Sequence, residues 1–290
     1  MKLQQKMNYE IIEILGTKIH RVTMQDVVKW SQSQIDSVNG LKVIFTPNPE
    51  LIMHAQKSLD YQKILNQADL STPDGIGLQM AAELNSYHLS QQKIIRFGQI
   101  LIRGIGIGLR PFYKRQYKVL PERVAGADLL GEIIKHNPKI SVVLLGGENQ
   151  IVNELACSKL KTQYPLIGQV NGIWGGIISQ DGYGASDSDT IERINAICPD
   201  LIMVGFGSPK QERWIINHKN AIKAKIIIGG GATIYFIAGY QKRASRNWTK
   251  LGLEWLHRLI HDPGRLKRIF SAFPVFPLYV ALHKYFVLES

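Results

Sequence analysis

Short apolar runs alternate with helical patterns along most of the chain, and several of the runs end in glycine or in a proline-containing loop. The runs lie at residues 42–45, 140–145, 166–170, 201–205 and 225–228. Continuous apolar runs of this length are typical of strands buried on both faces, and their alternation with helices predicts that the strands are parallel. The sequence therefore predicts an α/β fold, a Rossmann-like parallel sheet layered with helices.

Two stretches depart from this pattern, and both are basic. Residues 87–123 contain eight Lys or Arg and one acid, residues 240–290 contain nine and three, and the whole chain has a net charge of +12. We therefore expect a core of residues 1–240, with a basic apolar insertion at 87–120, and a C-terminal appendage of residues 241–290. Apolar residues among the charges favour an anionic membrane surface over nucleic acid as the partner.

The insertion contains Arg96, Arg103 and Arg110 at intervals of seven residues, which would place them on one face of a helix. Glycines at 104, 106 and 108 argue against a long regular helix. A second membrane contact, a lid over an acceptor and a disordered loop all remain open. In the appendage, residues 251–260 predict an amphipathic helix, and residues 273–288, interrupted by Pro274 and Pro277, predict an interfacial tail.

Composition and spacing exclude several other classes of site. The two cysteines have no Cys or His companion at metal-ligand spacing, which favours a reducing, cytoplasmic compartment. The sequence contains no run of 18 apolar residues, so we predict no membrane span. The sequence Asp187-Ser188-Asp189 has the DxD form of a metal site, but helix capping accounts for it. His257 and His261, four residues apart, are expected to be surface groups, so we predict neither a metal nor a cofactor.

Two loops rich in proline follow the first strand and a second short strand near residue 71. Pro47 and Pro49 favour extended geometry at Thr46 and Asn48, the residues that precede them. The second loop places Asp74 between a proline and a glycine, where its carboxylate is either a helix N-cap or a general base. The carboxyl ends of parallel strands meet at one edge of a sheet, where ligands bind, so we expect the two loops to lie together.

The loop at residues 205–212 (GFGSPKQE) is the strongest phosphate-binding candidate. Gly205 and Gly207 let the backbone approach a ligand, Ser208 is expected to cap a helix that begins at Pro209, and the helix N-terminus would attract phosphate. Gln211 adds an amide. An ordinary strand-to-helix turn is the alternative, and Gly147 and the glycines at 229–231 are weaker candidates.

Five motifs occur in a fixed order: TPNPEL, PDGIG, PERVAGADL, GFGSPKQE and KRAS…LGLEWLHRL…DPGRLKR. In this combination the chain resembles the WecG/TagA/CpsF family, glycosyltransferase family 26, over roughly residues 11–268, apart from the stretch at 87–120. The resemblance implies a metal-independent, inverting enzyme that transfers a sugar from a UDP-sugar to an undecaprenyl-diphosphate-linked sugar in the synthesis of cell-surface polysaccharide. It also implies a peripheral position on the inner face of the plasma membrane and leaves a homo-oligomer possible.

The resemblance assigns roles to particular residues. It implies that Asp74 is the general base and that Thr46, Asn48 and Gln211 line the pocket. Arginines of the appendage would bind the diphosphate and accompany membrane docking; the matching residues are Arg258, Arg265 and Arg268.

Three departures from the family pattern affect the donor more than the reaction. Some 30 extra residues precede the PERVAG motif, the loop at 171–175 is changed, and Tyr235 replaces an aspartate associated with nucleotide recognition. Two alternatives remain: a nucleotide-binding oxidoreductase, although no GxGxxG opens a strand-helix unit, and a basic nucleic-acid-binding protein. Neither explains Asp74 together with Gln211.

Overall fold

The computed structural model describes residues 8–37, 40–111, 113, 116–241 and 270–286, together with residues 248, 256, 260 and 266. Most of the appendage, with the predicted helix at 251–260, His257, His261 and the three candidate arginines Arg258, Arg265 and Arg268, lies outside the described residues.

An antiparallel hairpin opens the described chain. It pairs β1 (Ile11–Ile14) with β2 (Thr17–His20). Helix α1 (Met24–Ile35) follows and begins at a capping box: the Thr23 hydroxyl accepts the N–H of Asp26 at 3.2 Å, and the Asp26 carboxylate accepts the N–H of Thr23 at 2.9 Å.

The predicted parallel sheet is confirmed, with six strands among the described residues. They are β3 (Lys42–Phe45), β4 (Leu70–Ser71), β5 (Val142–Gly146), β6 (Val170–Ile173), β7 (Leu201–Gly205) and β8 (Ile226–Gly229), in the order β4-β3-β8-β7-β5-β6. The strand predicted at 166–170 is wrong in position. Leu166 is exposed in a turn closed by the bond from Ile167 N–H to the Tyr164 carbonyl, so pairing begins only at Val170.

The remaining helices cover the sheet and its edge. They are α2 (Pro49–Lys57), α3 (Leu59–Leu65), α4 (Ile76–Asn85), α5 (Lys93–Leu109), α6 (Gly126–His136), α7 (Gln150–Gln163), α8 (Asp187–Ile197), α9 (Lys210–His218), α10 (Thr233–Ala238) and α11 (Phe276–Phe286). Ser58 separates α2 from α3, because its backbone is extended and its hydroxyl caps α3 by accepting the N–H of Tyr61.

Alternation along the strands produces a core on each face of the sheet. In β5, Val142 and Leu144 pack with α1, α6, α7 and α10, whereas Val143 and Leu145 pack with α2, α3, α8 and α9. A third cluster lies beyond the edge of the sheet and joins the hairpin to α4, α5 and α11, with Leu78, Ile107 and Phe276 among its buried members.

Two expectations about helix breaking are wrong. The glycines at 104, 106 and 108 do not interrupt α5, which runs for 17 residues; each costs helix stability, but buried contacts along one side of α5 offset that cost. Pro277 does not interrupt the C-terminal apolar segment either. It is the second residue of α11, and the break in the segment lies instead at Phe273, before Pro274, where the backbone leaves the helical conformation within a π-helical turn at Ser271–Val275.

None of the helices in the described part of the chain combines the length and the apolar character that crossing a bilayer requires.

Candidate active site

The carboxyl ends of the parallel strands form one edge of the sheet, and the loops selected from the sequence all emerge there. Strands β5 and β7 are neighbours, with Gly146 opposite Gly205, but the helices that follow them, α7 and α9, lie on opposite faces. A crevice therefore opens between the two strand ends, at the position where α/β sheets bind ligands.

The loop after β3 is fixed at both of its candidate residues. The Thr46 hydroxyl donates to the Gly229 carbonyl at 3.3 Å, which ties this loop to the end of β8. Asn48 is the N-cap of α2, since its Oδ1 accepts the N–H of Leu51 at 3.0 Å. Its Nδ2 donates to no described residue, so one side of the amide remains available to a ligand.

Asp74 is not the N-cap of α4, which removes the structural alternative raised by the sequence. Gly75 occupies the cap position with φ +117°, and no side chain caps the helix. The Asp74 carboxylate instead pairs with Arg123: Nε of the guanidinium donates to Oδ1 at 3.0 Å, and both side chains are about one-fifth exposed. Oδ2 accepts no hydrogen bond from the described residues.

Arg123 is the site residue that the sequence analysis does not identify. The feature of the sequence that points to Arg123 is the PERVAG motif, which contains it. Val124 N–H donates to the Pro73 carbonyl at 2.8 Å, and this bond brings the motif beside Asp74. The Asp74 N–H in turn donates to the Pro47 carbonyl at 2.9 Å. These two backbone bonds join three separate motifs into one unit.

Glycines at the ends of β5 and β7 approach too closely for side chains. Gly147 has φ +89°, and its N–H donates to the Gly205 carbonyl at 3.2 Å. A Cβ on Gly205 would lie 2.8 Å from Cδ1 of Ile234, whereas Gly207, with φ +80°, borders open space. The backbone at Gly207 is therefore open to the surroundings, whereas Gly205 is enclosed.

Gln211 joins two of these loops. It is 2% exposed; its Oε1 accepts the N–H of Gly231 at 3.0 Å, and its Nε2 donates to Glu212 at 2.7 Å. In this arrangement the Gln211 amide fixes the loop after β8 against the first turn of α9, directly behind the crevice.

A buried carboxyl group, Glu212, supports the same turn. Its Oε1 accepts the hydroxyl of Ser208 at 2.7 Å and its Oε2 accepts the hydroxyl of Tyr61 at 3.1 Å. Burial raises the pKa of Glu212 above its ordinary value, and burial together with the nearby Glu212 carboxyl raises the pKa of Tyr61. The expectation that Ser208 caps a helix starting at Pro209 is wrong: α9 begins at Lys210, and Ser208 bonds to Glu212 instead.

The candidate residues fall into a connected series along the edge. Bonds between loops link Asp74 to Pro47, Thr46 to Gly229, and Gly231 to Gln211. Three strand spacings separate β4 from β7, about 14 Å, so a ligand that contacts both ends of the series must be extended. Tyr235 lies in α10, half-buried against the core.

Asp187 of the DxD sequence has a structural role. Its carboxylate accepts the Trp214 indole N–H at 2.7 Å and the Gly184 N–H at 2.8 Å, and it lies 3.2 Å from His218. Asp189 is exposed. Among the residues that the structure describes, no three His, Cys, Asp or Glu side chains gather as metal ligands do.

Comparison with known proteins identifies the family that the chain matches. Residues 12–97 and 99–288 match the glycosyl transferase WecG/TagA/CpsF family. A Staphylococcus aureus protein (strain MRSA252), named N-acetylglucosaminyldiphosphoundecaprenol N-acetyl-beta-D-mannosaminyltransferase, is 30% identical over 289 residues, covering 98% of this chain and 97% of the relative. A protein of the same name from strain MW2 is 29% identical with the same coverage. The chain therefore belongs to the WecG/TagA/CpsF family of glycosyl transferases.

Proposed function

We propose that the protein transfers a sugar, N-acetylmannosamine or another hexose, from a UDP-sugar to an undecaprenyl-diphosphate-linked sugar, with inversion and without a metal. The names of the two relatives support the acceptor class and the N-acetylmannosaminyl group. The basic insertion and appendage support work at an anionic membrane surface, which for a lipid-linked acceptor is the cytoplasmic face.

Asp74 is the general base of this reaction. Its carboxylate removes the proton from the acceptor hydroxyl while that oxygen attacks the anomeric carbon of the donor, and the bond from the anomeric carbon to the diphosphate breaks to release UDP. The Arg123 guanidinium holds Oδ1 at 3.0 Å and fixes the carboxylate plane, which leaves Oδ2 to receive the proton. Arg123 is thus a positioning residue for the base.

The glycine loops bind the donor, and the arginines of the appendage complete the site. Gly207 borders open space, and α9 begins three residues later at Lys210, so a diphosphate beside Gly207 gains from the helix N-terminus. Arg258, Arg265 and Arg268 supply the cations that a metal-free site needs as negative charge develops on UDP. Thr46, Asn48 and Gly147 border the sugar, and Tyr235 contributes to nucleotide recognition.

One observation carries the proposal: the Asp74–Arg123 pair lies at the ligand-binding edge of the sheet, in a loop bonded directly to the loop of Thr46 and Asn48. A structural carboxylate in that position would be expected to cap α4, and Asp74 does not.

Replacement of the carboxylate by an amide tests this assignment. We expect Asp74→Asn to reduce kcat by about 100-fold or more, the usual contribution of a general base, while thermal stabilisation by UDP is retained. Turnover would be measured with UDP-N-acetylmannosamine and an N-acetylglucosaminyl-diphosphate carried on a polyprenyl chain.

Asp69→Asn is the matched control. Asp69 precedes β4 at the opposite edge of the sheet and is also ion-paired, with Lys42 at 2.9 Å. Loss of activity in both variants would show a general effect of breaking a surface pair, and near-normal turnover of Asp74→Asn would reject its role as the base.

A further inference from the structure

Helix α5 turns its two arginines, together with Ile100 and Ile107, toward the protein and most of its apolar side chains toward solvent. Every exposed residue from 94 to 109 is apolar or glycine. The principal exposed side chains, called here the outer face, belong to Ile94, Phe97, Leu101, Ile102, Ile105 and Leu109; Ile94 is 89% exposed and Ile102 is 73% exposed.

The opposite side of α5 is held by arginines. Arg96 is 2% exposed, and three of its nitrogens donate to backbone carbonyls, those of Ser90 at 3.0 Å, Gln91 at 2.8 Å and Tyr285 at 2.7 Å. Because Tyr285 lies in the last turn of α11, the Arg96 guanidinium also caps the C-terminal end of that helix.

Two further arginines fix the remainder of the helix. The Arg103 guanidinium lies over the ring of Tyr87, 4.2 Å from its centre, and Arg110, just beyond the end of α5, pairs with Glu83 at 2.6 Å. Rotation of α5 to hide its outer face would break all three attachments and bury cations without partners, which is strongly unfavourable. The apolar face is therefore held outward by the fold.

A contiguous apolar helix face of this size on a soluble surface indicates an interaction site. We propose that the outer face of α5 inserts into the headgroup–acyl boundary of an anionic membrane. The choice of lipid as the occupant rests on the proposed function, since the acceptor is carried on a polyprenyl lipid, and on charge: the surrounding segment is strongly basic, which attracts anionic lipid and repels a second copy of the same surface.

The dimensions of α5 fit a helix that lies along the membrane. Seventeen residues span about 25 Å, short of a bilayer crossing, and Arg96 and Arg103 tie one side of the helix to the folded protein. An apolar face opposite cationic anchors is the pattern of an interfacial helix.

Helix α11 connects this surface to the site. Near its C-terminal end, the carbonyl of Tyr285 accepts a hydrogen bond from Arg96. Its first residue, Phe276, is fully buried, and the Phe276 ring lies 3.6 Å from the position that a Cβ on Gly77 would occupy. Gly77 is three residues from Asp74. Leu278, Leu282 and Phe286 of α11 are also exposed. A bilayer against α5 would therefore reach the helix that leads to the acceptor side of the active site.

The test compares two double variants of the full chain. Leu101→Glu/Ile105→Glu changes the outer face, and Leu59→Glu/Leu166→Glu changes two other exposed apolar residues, on α3 and before β6. Partition into vesicles of phosphatidylcholine and phosphatidylglycerol, measured by co-sedimentation, should fall at least about tenfold in the first variant. Each substitution removes an apolar side chain that the membrane would bury and adds a negative charge that anionic lipid repels. It should be unchanged in the second.

A fluorescence measurement separates α5 from the appendage, which is also expected to bind membranes. An environment-sensitive dye would be attached to Ile102→Cys in a Cys198→Ser background, with Leu166→Cys as the control position. Blue-shifted emission on vesicle binding, and quenching by acyl-labelled lipid, are expected at position 102 alone. Vesicle-bound protein without either change at position 102 would overturn the proposal.

Two other outcomes also decide the question. If Leu101→Glu/Ile105→Glu converts an oligomer to a monomer and leaves vesicle binding intact, the outer face binds a second copy and the proposal is wrong. Transfer to a short-chain, water-soluble acceptor should be retained in both double variants. Failure of the unmodified protein in that reaction would count against the proposed function and not against lipid binding by α5.

Discussion

Helices α5 and α6 are both amphipathic, yet they are oriented in opposite ways. In α6 the buried side chains are apolar, among them Leu129 and Ile133, and the exposed ones include Asp128 and Lys135. In α5 the buried positions include Arg96, and the outer face is exposed. The periodicity of a sequence predicts that a helix has two faces, but the partners available on each side decide which face turns inward.

The partners differ because α6 packs on a sheet and α5 does not. The strands offer α6 a continuous apolar surface. Helix α5 lies at the margin of the fold, where the loop after α4 and the end of α11 present backbone carbonyls and α4 presents Glu83. Guanidinium groups bond to these carbonyls and to Glu83. The apolar side of a helix at such a margin does not pack on the protein and is available to an apolar medium such as lipid.

The largest predicted contrast follows from equal truncations in the two helices. Ile133→Ala in α6 should lower the free energy of unfolding by about 3 kcal/mol, since it opens a cavity in a close-packed core. Ile105→Ala, at a position 57% exposed, should change it by less than about 0.5 kcal/mol. Urea unfolding in the absence of lipid measures both; equal losses would show that the outer face is packed in solution.

A smaller predicted effect is the pH dependence of stability, which differs between the ionic attachment of α5 and the apolar packing of α6. Burial alone would raise the pKa of Glu83, but hydrogen bonds from Lys118 N–H and from Arg110 outweigh it, so the pKa lies below its ordinary value. This carboxylate therefore stabilises the fold above its unfolded pKa, and the contribution is lost as pH falls through the folded pKa.

We expect Glu83→Gln to cost about 2 kcal/mol at neutral pH, the scale of hydrogen bonds to a charged group, and progressively less in acid. The cost of Ile133→Ala should not change with pH, because its contacts are apolar. Urea unfolding from about pH 4 to about pH 8 makes the comparison, and a pH-independent cost for Glu83→Gln would contradict the ionic attachment of α5.

The smallest predicted effect comes from one glycine in each helix. A Cβ on Gly104 of α5 would meet nothing within 4 Å, whereas a Cβ on Gly131 of α6 would lie 2.7 Å from the Tyr164 hydroxyl. Gly104→Ala should therefore stabilise the protein by about 0.5–1 kcal/mol, the difference in helix propensity, and Gly131→Ala should gain less or lose. Thermal unfolding of the two variants is sufficient, and destabilisation by Gly104→Ala would show an unseen contact.

Much of the candidate site was accessible from sequence because its residues follow strands. The buried apolar runs predict where strands end, and the ends of parallel strands share an edge, so Thr46, Asp74 and Gly207 could be grouped before any coordinates. Arg123 was not grouped with them, since it lies 49 residues from Asp74 and is brought there by bonds of Val124 to Pro73 and Thr72.

Local patterns alone determined the layered α/β fold and the identity of the strand-end loops, since each depends on neighbouring residues and on runs of apolar side chains. The tertiary structure decided the partner of Asp74, the bonding of Ser208 and Gln211 to Glu212, and the outward turn of the apolar side of α5. These depend on groups brought together from distant segments, and the free energy of burying a charge is set by the partners it finds there, which no short stretch of sequence specifies.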